Sequence, residues 1–190
     1  MENRRLAVLF PGIGYHCDKP LLYYAAKLAG AAGYEVLRIN YAGFPEKVRG
    51  DGEKLRQCVG IAWEQACAEL SQVKWAAYGD ILFIGKSIGT LVASRYALEK
   101  GLTARHVLLT PLTETFRFVT GTALAFHGTA DPWADTAEIV AAAGEKGVPI
   151  HLTEGANHSL ETGDPMADLQ TLLQTMARVK AFLGESEARG

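Results

Sequence analysis

A serine between two glycines carries the clearest chemical signal in this chain. Gly85, Ser87 and Gly89 stand two residues apart, directly after the apolar residues 81–84. A sharp strand-to-helix turn that presents a nucleophilic serine needs this layout, because larger side chains two residues before and after the serine would clash. The free amides of the following helix would also favour negative charge beside Ser87. The alternative is a glycine-rich turn with an incidental serine, since the chain has 20 glycines.

Two further residues complete the chemistry that such a serine requires. A hydroxyl is a poor nucleophile until a base removes its proton, and an imidazole suits that task near neutral pH. A carboxylate must then orient the imidazole and stabilise the imidazolium. Ser87, Asp131 and His158 occur in the order nucleophile, acid, base, and Asp131 and His158 follow later apolar segments. We therefore expect these three residues to form a catalytic triad.

Other carboxylates compete for the role of the acid. Asp131 taken alone is equally suited to cap a helix ahead of Pro132. Asp135 is an alternative acid, but it lies where it would stabilise the N-terminus of the following helix. Glu114 is the second alternative, after the fourth predicted strand.

Other histidines compete for the role of the base. His158 taken alone could be a surface loop histidine. We set His151 aside because it lies within a predicted strand, and His106 because it begins a strand at the opposite edge of the sheet. His127 ends a predicted strand and is expected to be buried and hydrogen-bonded.

Attack on a carbonyl also needs donors for the oxyanion that develops. The amide of Ile88, next to the serine, is the first candidate. The glycine-containing segment 11–15 follows the first predicted strand, and its small residues would let the backbone approach a substrate. We place the second donor at Ile13, with Gly14 as the close alternative. An ordinary glycine turn into the next helix is the competing interpretation.

Alternating strands and helices must position these groups. The predicted strands cover residues 6–10, 35–39, 80–84, 106–110, 123–126 and 149–153, and the predicted helices cover 19–32, 53–77, 90–100, 134–144 and 164–183. Asp18 is the expected cap of the first helix and Gly33 its end. The connection 111–122 is expected to contain little helix. This alternation predicts a parallel sheet covered on both faces, with the loops that follow the strands along one edge.

Composition narrows the class of protein. A chain of 190 residues with 48% apolar residues is expected to form a single domain, residues 1–190. A net charge of −2 without a basic cluster argues against a nucleic-acid partner. We expect no membrane span and no signal peptide. Cys17, Cys58 and Cys67 are odd in number without metal-like spacing, which favours reduced thiols and a cytoplasmic location. The oligomeric state stays open.

With these motifs in place, the chain resembles the α/β-hydrolases, in their small form without a cap. The motif at 85–89, the segment 127–132 around Asp131 and the segment 157–159 around His158 match the family's nucleophile, acid and histidine loops. Pro11 stands where the family's oxyanion loop often has histidine. Dienelactone-hydrolase-like proteins are similarly compact, but carry cysteine where this chain has Ser87.

The resemblance implies a three-layer α/β/α sandwich with six parallel strands, in the spatial order second, first, third, fourth, fifth, sixth. This would be a minimal fold without the N-terminal hairpin and without a helical lid. The implied activity is that of a serine hydrolase, acting on a small-molecule carboxylic ester or thioester without a metal or organic cofactor. A non-catalytic module that binds a small ligand or a partner is the alternative, and an acyltransferase or peptidase is a third possibility.

The loops expected around the serine also suggest a pocket rim. The residues expected to contact substrate are partly aromatic: Tyr15, His16, Tyr41, Leu112, Phe116 and Trp133. Lys86 directly precedes the serine. We expect its side chain to face solvent or to support the turn, in preference to touching a substrate.

Overall fold

Six parallel strands form the centre of the structure. A computed structural model describes residues 4–184 of the chain. The strands are β1 (Arg5–Phe10), β2 (Glu35–Arg38), β3 (Asp80–Lys86), β4 (Arg105–Leu109), β5 (Ala123–Gly128) and β6 (Ile150–Thr153). They lie side by side in the order β2-β1-β3-β4-β5-β6, and every pairing is parallel. The predicted strand order is confirmed.

Helices cover both faces of this sheet, as the apolar strands require. They are α1 (Pro20–Ala31), α2 (Gly52–Leu70), α3 (Ile88–Glu99), α4 (Thr136–Glu145) and α5 (Pro165–Gly184). One core lies between the sheet and α1 with α5, and two others lie between its opposite face and α2, α3 and α4. The result is the expected α/β/α sandwich. No helix within residues 4–184 is long and apolar enough to span a bilayer.

The strand register brings the site-bearing loops to one edge. Phe10 at the end of β1 pairs with Gly85, and Lys86 at the end of β3 pairs with Leu109. Gly128 at the end of β5 pairs with Thr153 at the end of β6. The strands therefore end nearly level, and the loops that follow them share the carboxyl edge of the sheet.

The part of the chain that the structure describes has neither an antiparallel N-terminal hairpin nor a helical lid, as expected for the minimal fold. Within residues 4–184, no antiparallel strand joins the sheet. The connection between β4 and β5 holds only a five-residue 3-10 helix, Thr113–Arg117, so it contains little helix, as predicted.

Most predicted element boundaries are shifted in the structure by one or two residues, and the differences at α2, α1 and β3 are the most informative. The helix predicted over 53–77 ends at Leu70, where the Ser71 hydroxyl donates to the carbonyl of Ala68 at 2.7 Å, and a separate 3-10 helix covers Trp75–Ala77. Asp18 does not cap α1, since Lys19 occupies the cap position without a side-chain hydrogen bond. Strand β3 continues to Lys86, two residues beyond its predicted end.

Candidate active site

Ser87 sits in a strained turn, and the positions two residues before and after it must be glycine. Ser87 lies between β3 and α3 with φ of 55° and ψ of −124°, a conformation that residues with side chains rarely adopt. A Cβ on Gly85 would come within 2.6 Å of the Cα of Thr90. A Cβ on Gly89 would lie 2.1 Å from the carbonyl oxygen of Phe10. The two glycines are therefore required by backbone contacts on both sides of the turn.

Ser87, His158 and Asp131 form a continuous hydrogen-bonded chain. The Nε2 of His158 lies 2.8 Å from the hydroxyl oxygen of Ser87. Its Nδ1 lies 2.6 Å from the Oδ2 of Asp131. With Nδ1 donating to the carboxylate, Nε2 is left as the acceptor that faces the serine. The geometry is that of a nucleophile, a base and the group that orients the base.

A close backbone contact between two loops brings the acid to the histidine. A Cβ on Gly128 would lie 2.2 Å from the carbonyl oxygen of Ala156, so only glycine allows these loops to approach. The amide of Ala130 then donates to the carbonyl of Ala156 at 2.9 Å. Sequence reasoning missed Gly128 as a determinant of the site. The glycine directly after His127 is the one signal that could have found it.

Burial and hydrogen bonding set the charge states within the triad. Burial by itself raises the pKa of Asp131, but the hydrogen bonds from His158 and from the Trp133 amide outweigh it and hold that pKa below its usual value. Burial also lowers the pKa of His158. Asp131 opposes that effect, while the positive charge of Lys86 adds to it. The site therefore favours an ionised carboxylate beside a neutral imidazole.

The carboxylates and histidines considered as alternatives to Asp131 and His158 make other contacts. Asp135 caps α4, since its carboxylate accepts the Glu138 amide at 3.0 Å. His127 is fully buried, as predicted, with its Nε2 3.1 Å from the hydroxyl of Thr136. Its Nδ1 lies 3.7 Å from Asp131, too far for a hydrogen bond.

The histidines at positions 106 and 151 lie away from the triad. His106 is enclosed in the core beside Phe83. His151 lies on β6 against Phe126. Glu114, the remaining alternative acid, belongs to the 3-10 helix after β4.

The predicted oxyanion donors lie against the turn that holds the serine. A Cβ on Gly12 would be 3.1 Å from the Cβ of Ser87, so the loop after β1 packs directly on Ser87. Gly12 and Tyr15 exchange two backbone hydrogen bonds, of 3.1 and 3.3 Å, that close a tight turn around Ile13 and Gly14. Within residues 4–184, no group accepts a backbone hydrogen bond from the amides of Ile13 and Ile88. Both amides therefore lack a backbone acceptor among the described residues, and their role as oxyanion donors stays a prediction.

The predicted rim divides into exposed and buried residues. Trp133 lies beside His158, with the two ring centroids 5.5 Å apart. His16 is exposed and Tyr41 is half-buried. The remaining three belong to hydrophobic cores and are no more than 8% exposed: Tyr15, Leu112 and Phe116. The expectation that these three form an open rim needs correction, because they offer almost no surface to a ligand.

Lys86 is the largest departure from expectation at this site. Its side chain is 1% exposed, so it does not face solvent. Strand β3 continues through this residue, and the alternation of the strand carries Lys86 to the face that Leu82 and Ile84 bury beneath α1 and α5.

Comparison with solved structures agrees with this architecture. A serine hydrolase homologue from Coxiella burnetii is 18% identical, with a TM-score of 0.68 over 96% of this chain and 86% of that one. Est1E from Butyrivibrio proteoclasticus is 15% identical, with a TM-score of 0.70 over 99% and 90%. An esterase from Pyrococcus furiosus is 14% identical, with a TM-score of 0.67 over 96% and 83%. No protein-family model and no curated protein sequence matches the chain.

These likenesses, together with the sheet order, define the class. The chain has the α/β-hydrolase fold, in a small and compact form. At these levels of sequence identity the likeness concerns the fold, so the activity must be argued from the site itself.

Proposed function

We propose that this protein is a serine hydrolase that cleaves a small carboxylic ester or thioester through an acyl-enzyme on Ser87. The observation that carries the proposal is the unbroken chain from the Ser87 hydroxyl through His158 to Asp131, with separations of 2.8 and 2.6 Å. A non-catalytic binding module has no need for a strained serine aligned with a neutral, buried imidazole.

Acylation begins with a proton transfer. As the Ser87 oxygen attacks the acyl carbon, its proton passes to Nε2 of His158. Asp131 stabilises the imidazolium that results and holds its orientation. The carbonyl electron pair moves onto oxygen, and the amides of Ile88 and Ile13 donate to this oxyanion. The tetrahedral intermediate collapses when His158 gives the proton to the departing alcohol or thiol.

Deacylation repeats these steps with water as the nucleophile. His158 accepts a proton from water, the resulting hydroxide attacks the acyl carbon, and the oxyanion forms again at the same amides. Collapse then breaks the bond to Ser87, which recovers its proton from His158. The products are a carboxylic acid and the free serine, so the residues described complete the cycle.

The surroundings of the triad favour a small, accessible acyl substrate. The connection after β4 is too short to form a helical lid. Trp133 supplies an apolar ring beside the base, where an acyl or leaving group can pack. The neighbours from Butyrivibrio and Pyrococcus are described as Est1E, with a ferulic acid complex, and as an esterase, which fits ester chemistry. A cytoplasmic location stays a prediction.

Labelling with a fluorophosphonate probe tests the nucleophile. Wild-type protein should be labelled at neutral pH, and Ser87→Ala should not. Ser94→Ala is a matched control, because Ser94 is a fully buried serine within α3 and its loss should leave labelling unchanged. Folded wild-type protein that resists the probe would point instead to a binding module.

A panel of p-nitrophenyl esters of increasing acyl length tests the substrate class. Short chains should be hydrolysed, and Ser87→Ala should lower kcat by several orders of magnitude. Added alcohol or amine acceptors should not divert the acyl group. Ester or amide products that grow with acceptor concentration would identify an acyltransferase and contradict the hydrolase assignment.

A further inference from the structure

A buried cation lies next to the nucleophile, and the triad mechanism gives it no task. Lys86 is 1% exposed, although a charged lysine is strongly disfavoured inside a protein unless it is paired. Within residues 4–184, no group accepts a hydrogen bond from its ammonium or forms a salt bridge with it. Its contact is with the ring of Tyr15, whose centroid lies 4.9 Å from Nζ. Because burying an unpaired ammonium is unfavourable, we expect Lys86 to have a role in the site.

Tyr15 is itself fixed on both sides of this contact. Its hydroxyl oxygen accepts the amide of Leu21 at 3.1 Å, at the start of α1. Its backbone exchanges two hydrogen bonds with Gly12 in the turn that carries the Ile13 amide. The ring is therefore a rigid platform, and the ammonium above it has a defined position beside the site.

Two carboxylates on neighbouring loops act on this ammonium electrostatically, without a hydrogen bond or salt bridge. The carboxylates of Asp131, after β5, and Glu161, after β6, favour its charged form, although burial is the larger effect and lowers the pKa of Lys86 to about 7. Lys86 is consequently protonated below about pH 7. That is the range in which a histidine gains its own proton.

The charge of Lys86 opposes the effect of Asp131 on the catalytic base. Asp131 stabilises imidazolium, and an imidazole that is already protonated cannot accept a proton from the serine. Lys86 and His127 lower the pKa of His158, in addition to the larger effect of burial. Burial lowers the pKa of His127 and so favours its neutral form, whereas Lys86 is a permanent neighbour whose ammonium opposes the effect of Asp131.

We propose that Lys86 is a positioning residue of the triad: its buried ammonium, held on the Tyr15 ring, keeps His158 in the neutral form that accepts a proton from Ser87. This role rests on the proposed hydrolase function. The Lys86 ammonium extends activity toward acidic pH. It is charged in the pH range where His158 would otherwise become protonated, and protonation of His158 stops the reaction.

The pH dependence of kcat/KM tests this role directly. Lys86→Met keeps an unbranched stem of similar length and removes the charge. The acid limb of the profile should move upward by about 0.5 to 1 pH unit, since a nearby charge of the same sign is lost. Lys86→Gln, a second neutral variant, should show the same shift. Lys86→Arg retains a charge and should return the limb toward its wild-type position.

Lys100→Met is the matched control. Lys100 also lies over an aromatic ring, that of Tyr96 at 5.8 Å, but it follows the far end of α3, about 18 Å along the helix from the serine. Its removal changes the net charge equally and should leave the acid limb unmoved. An acid limb that stays in place in both neutral variants of Lys86, or that moves equally in Lys100→Met, would overturn the proposal.

A titration of the imidazole by NMR separates this proposal from the hydrolase assignment. The midpoint for His158 in Lys86→Met should rise by the same amount as the acid limb, without any substrate present. If the protein hydrolyses no ester, the proposed function fails, while this midpoint still decides whether Lys86 acts on the histidine. A midpoint equal to that of the wild type would leave Lys86 with a packing role only.

Discussion

Ser87, His158 and Asp131 lie in three different environments. The Asp131 side chain is fully buried, the His158 side chain is 16% exposed, and Ser87 is 5% exposed. The carboxylate therefore acts where water screens it least. The imidazole keeps one edge open, where a substrate or water can exchange protons with it. Burial alone would favour the neutral form of this carboxylate, and the hydrogen bonds from His158 and the Trp133 amide keep it ionised.

Activity should extend below the pH at which an ordinary histidine is protonated. Burial and the charge of Lys86 lower the pKa of His158, and these effects outweigh the hydrogen bond to Asp131. The acid limb of kcat/KM for the wild type should therefore have its midpoint below about 6.5. A profile measured with a fast p-nitrophenyl ester checks this. A midpoint above that value, with chemistry shown to be rate-limiting, would contradict the environment described for His158.

The same buried lysine should lower the stability of the fold. Its pKa falls from 10.5 to about 7 on folding, so the folded state loses free energy when the ammonium is charged. Lys86→Met should be more stable than the wild type at pH 7, by at most about 5 kcal/mol. Urea unfolding measures the difference, with Lys100→Met as the control that should change little. A destabilised Lys86→Met would show that the ammonium has a stabilising partner after all.

That Ser87, Asp131 and His158 come together was predictable from their residue types, because the proposed chemistry requires a serine, a carboxylate and an imidazole on loops that follow strands. The burial of Lys86 was not predictable, because the direction in which its side chain points depends on where β3 ends. A strand over 80–84 leaves residue 86 in a loop, whereas the observed strand buries it. Only the hydrogen-bond ladder to β4, in which Lys86 pairs with Leu109, decides between these outcomes.

At the level of secondary structure, the geometry of the site depends on the close contact between the end of β1, the turn that carries Ser87, and the start of α3. Gly89 meets the backbone carbonyls of Phe10 and Pro11, and Gly12 meets the backbone of Lys86. The loop that carries Ile13 and the turn that carries Ser87 thus share one tightly packed junction. Movement of either element would separate Ile13, a proposed oxyanion donor, from Ser87.

Gly89→Ala should disrupt this junction. The added Cβ would lie 2.1 Å from the carbonyl oxygen of Phe10, and neither backbone has room to yield. We expect a loss of about 3 kcal/mol or more in the free energy of unfolding, together with loss of esterase activity. Chemical denaturation and ester hydrolysis measure the two effects.

Gly60→Ala is the matched control for that substitution. Gly60 is exposed in the middle of α2, and a Cβ there would meet nothing within 4 Å. Because alanine is the better helix former, stability should rise by about 0.5–1 kcal/mol with activity unchanged. Equal effects of the two substitutions would show that the close contact at Gly89 does not matter.

The ends of elements were the least predictable part of the fold. Val73 and Ala77 extend the helical pattern of α2. The helix nevertheless ends at Leu70, where the Ser71 hydroxyl donates a hydrogen bond to the carbonyl of Ala68. A side chain that competes for the backbone can end a helix within an apolar pattern that would otherwise continue it. The core positions of α2, including Ala62 and Ala66, still follow the predicted periodicity.

At the scale of the whole molecule, the topology followed from a general rule. Parallel strands joined by right-handed crossovers place the loops after β3, β5 and β6 at one edge. Residues 87, 131 and 158 are far apart in the chain but adjacent there. The pocket rim did not follow from the same rule, because the direction of each loop side chain depends on local packing, as the burial of Phe116 against α4 shows.

Global stability should fall in mild acid because of a histidine outside the site. His106 is fully buried, both of its ring nitrogens are without hydrogen-bond partners, and burial lowers its pKa from 6.5 to about 4. Between these values the unfolded chain holds a proton that the folded chain does not. The contribution of His106 to stability is therefore fully present above about pH 6.5 and is lost as the pH falls toward about 4, which amounts to about 3 kcal/mol.

His106→Leu isolates that contribution. Leucine has a similar volume and no titratable group, so urea unfolding of this variant should depend less on pH than that of the wild type over the same range. Equal pH dependence in the two proteins would show that His106 is protonated or hydrated in the folded state.

Acylation of Ser87 during turnover is the step on which the proposed mechanism depends. Mass spectrometry of wild-type protein quenched during reaction with p-nitrophenyl acetate measures this directly, with Ser87→Ala and Ser94→Ala treated in parallel. We expect one acetyl group on the peptide that contains Ser87 in the wild type and in Ser94→Ala, and none on the corresponding peptide of Ser87→Ala. Hydrolysis that continues at the wild-type rate in Ser87→Ala, or an acetyl group carried only by another residue, would contradict the account.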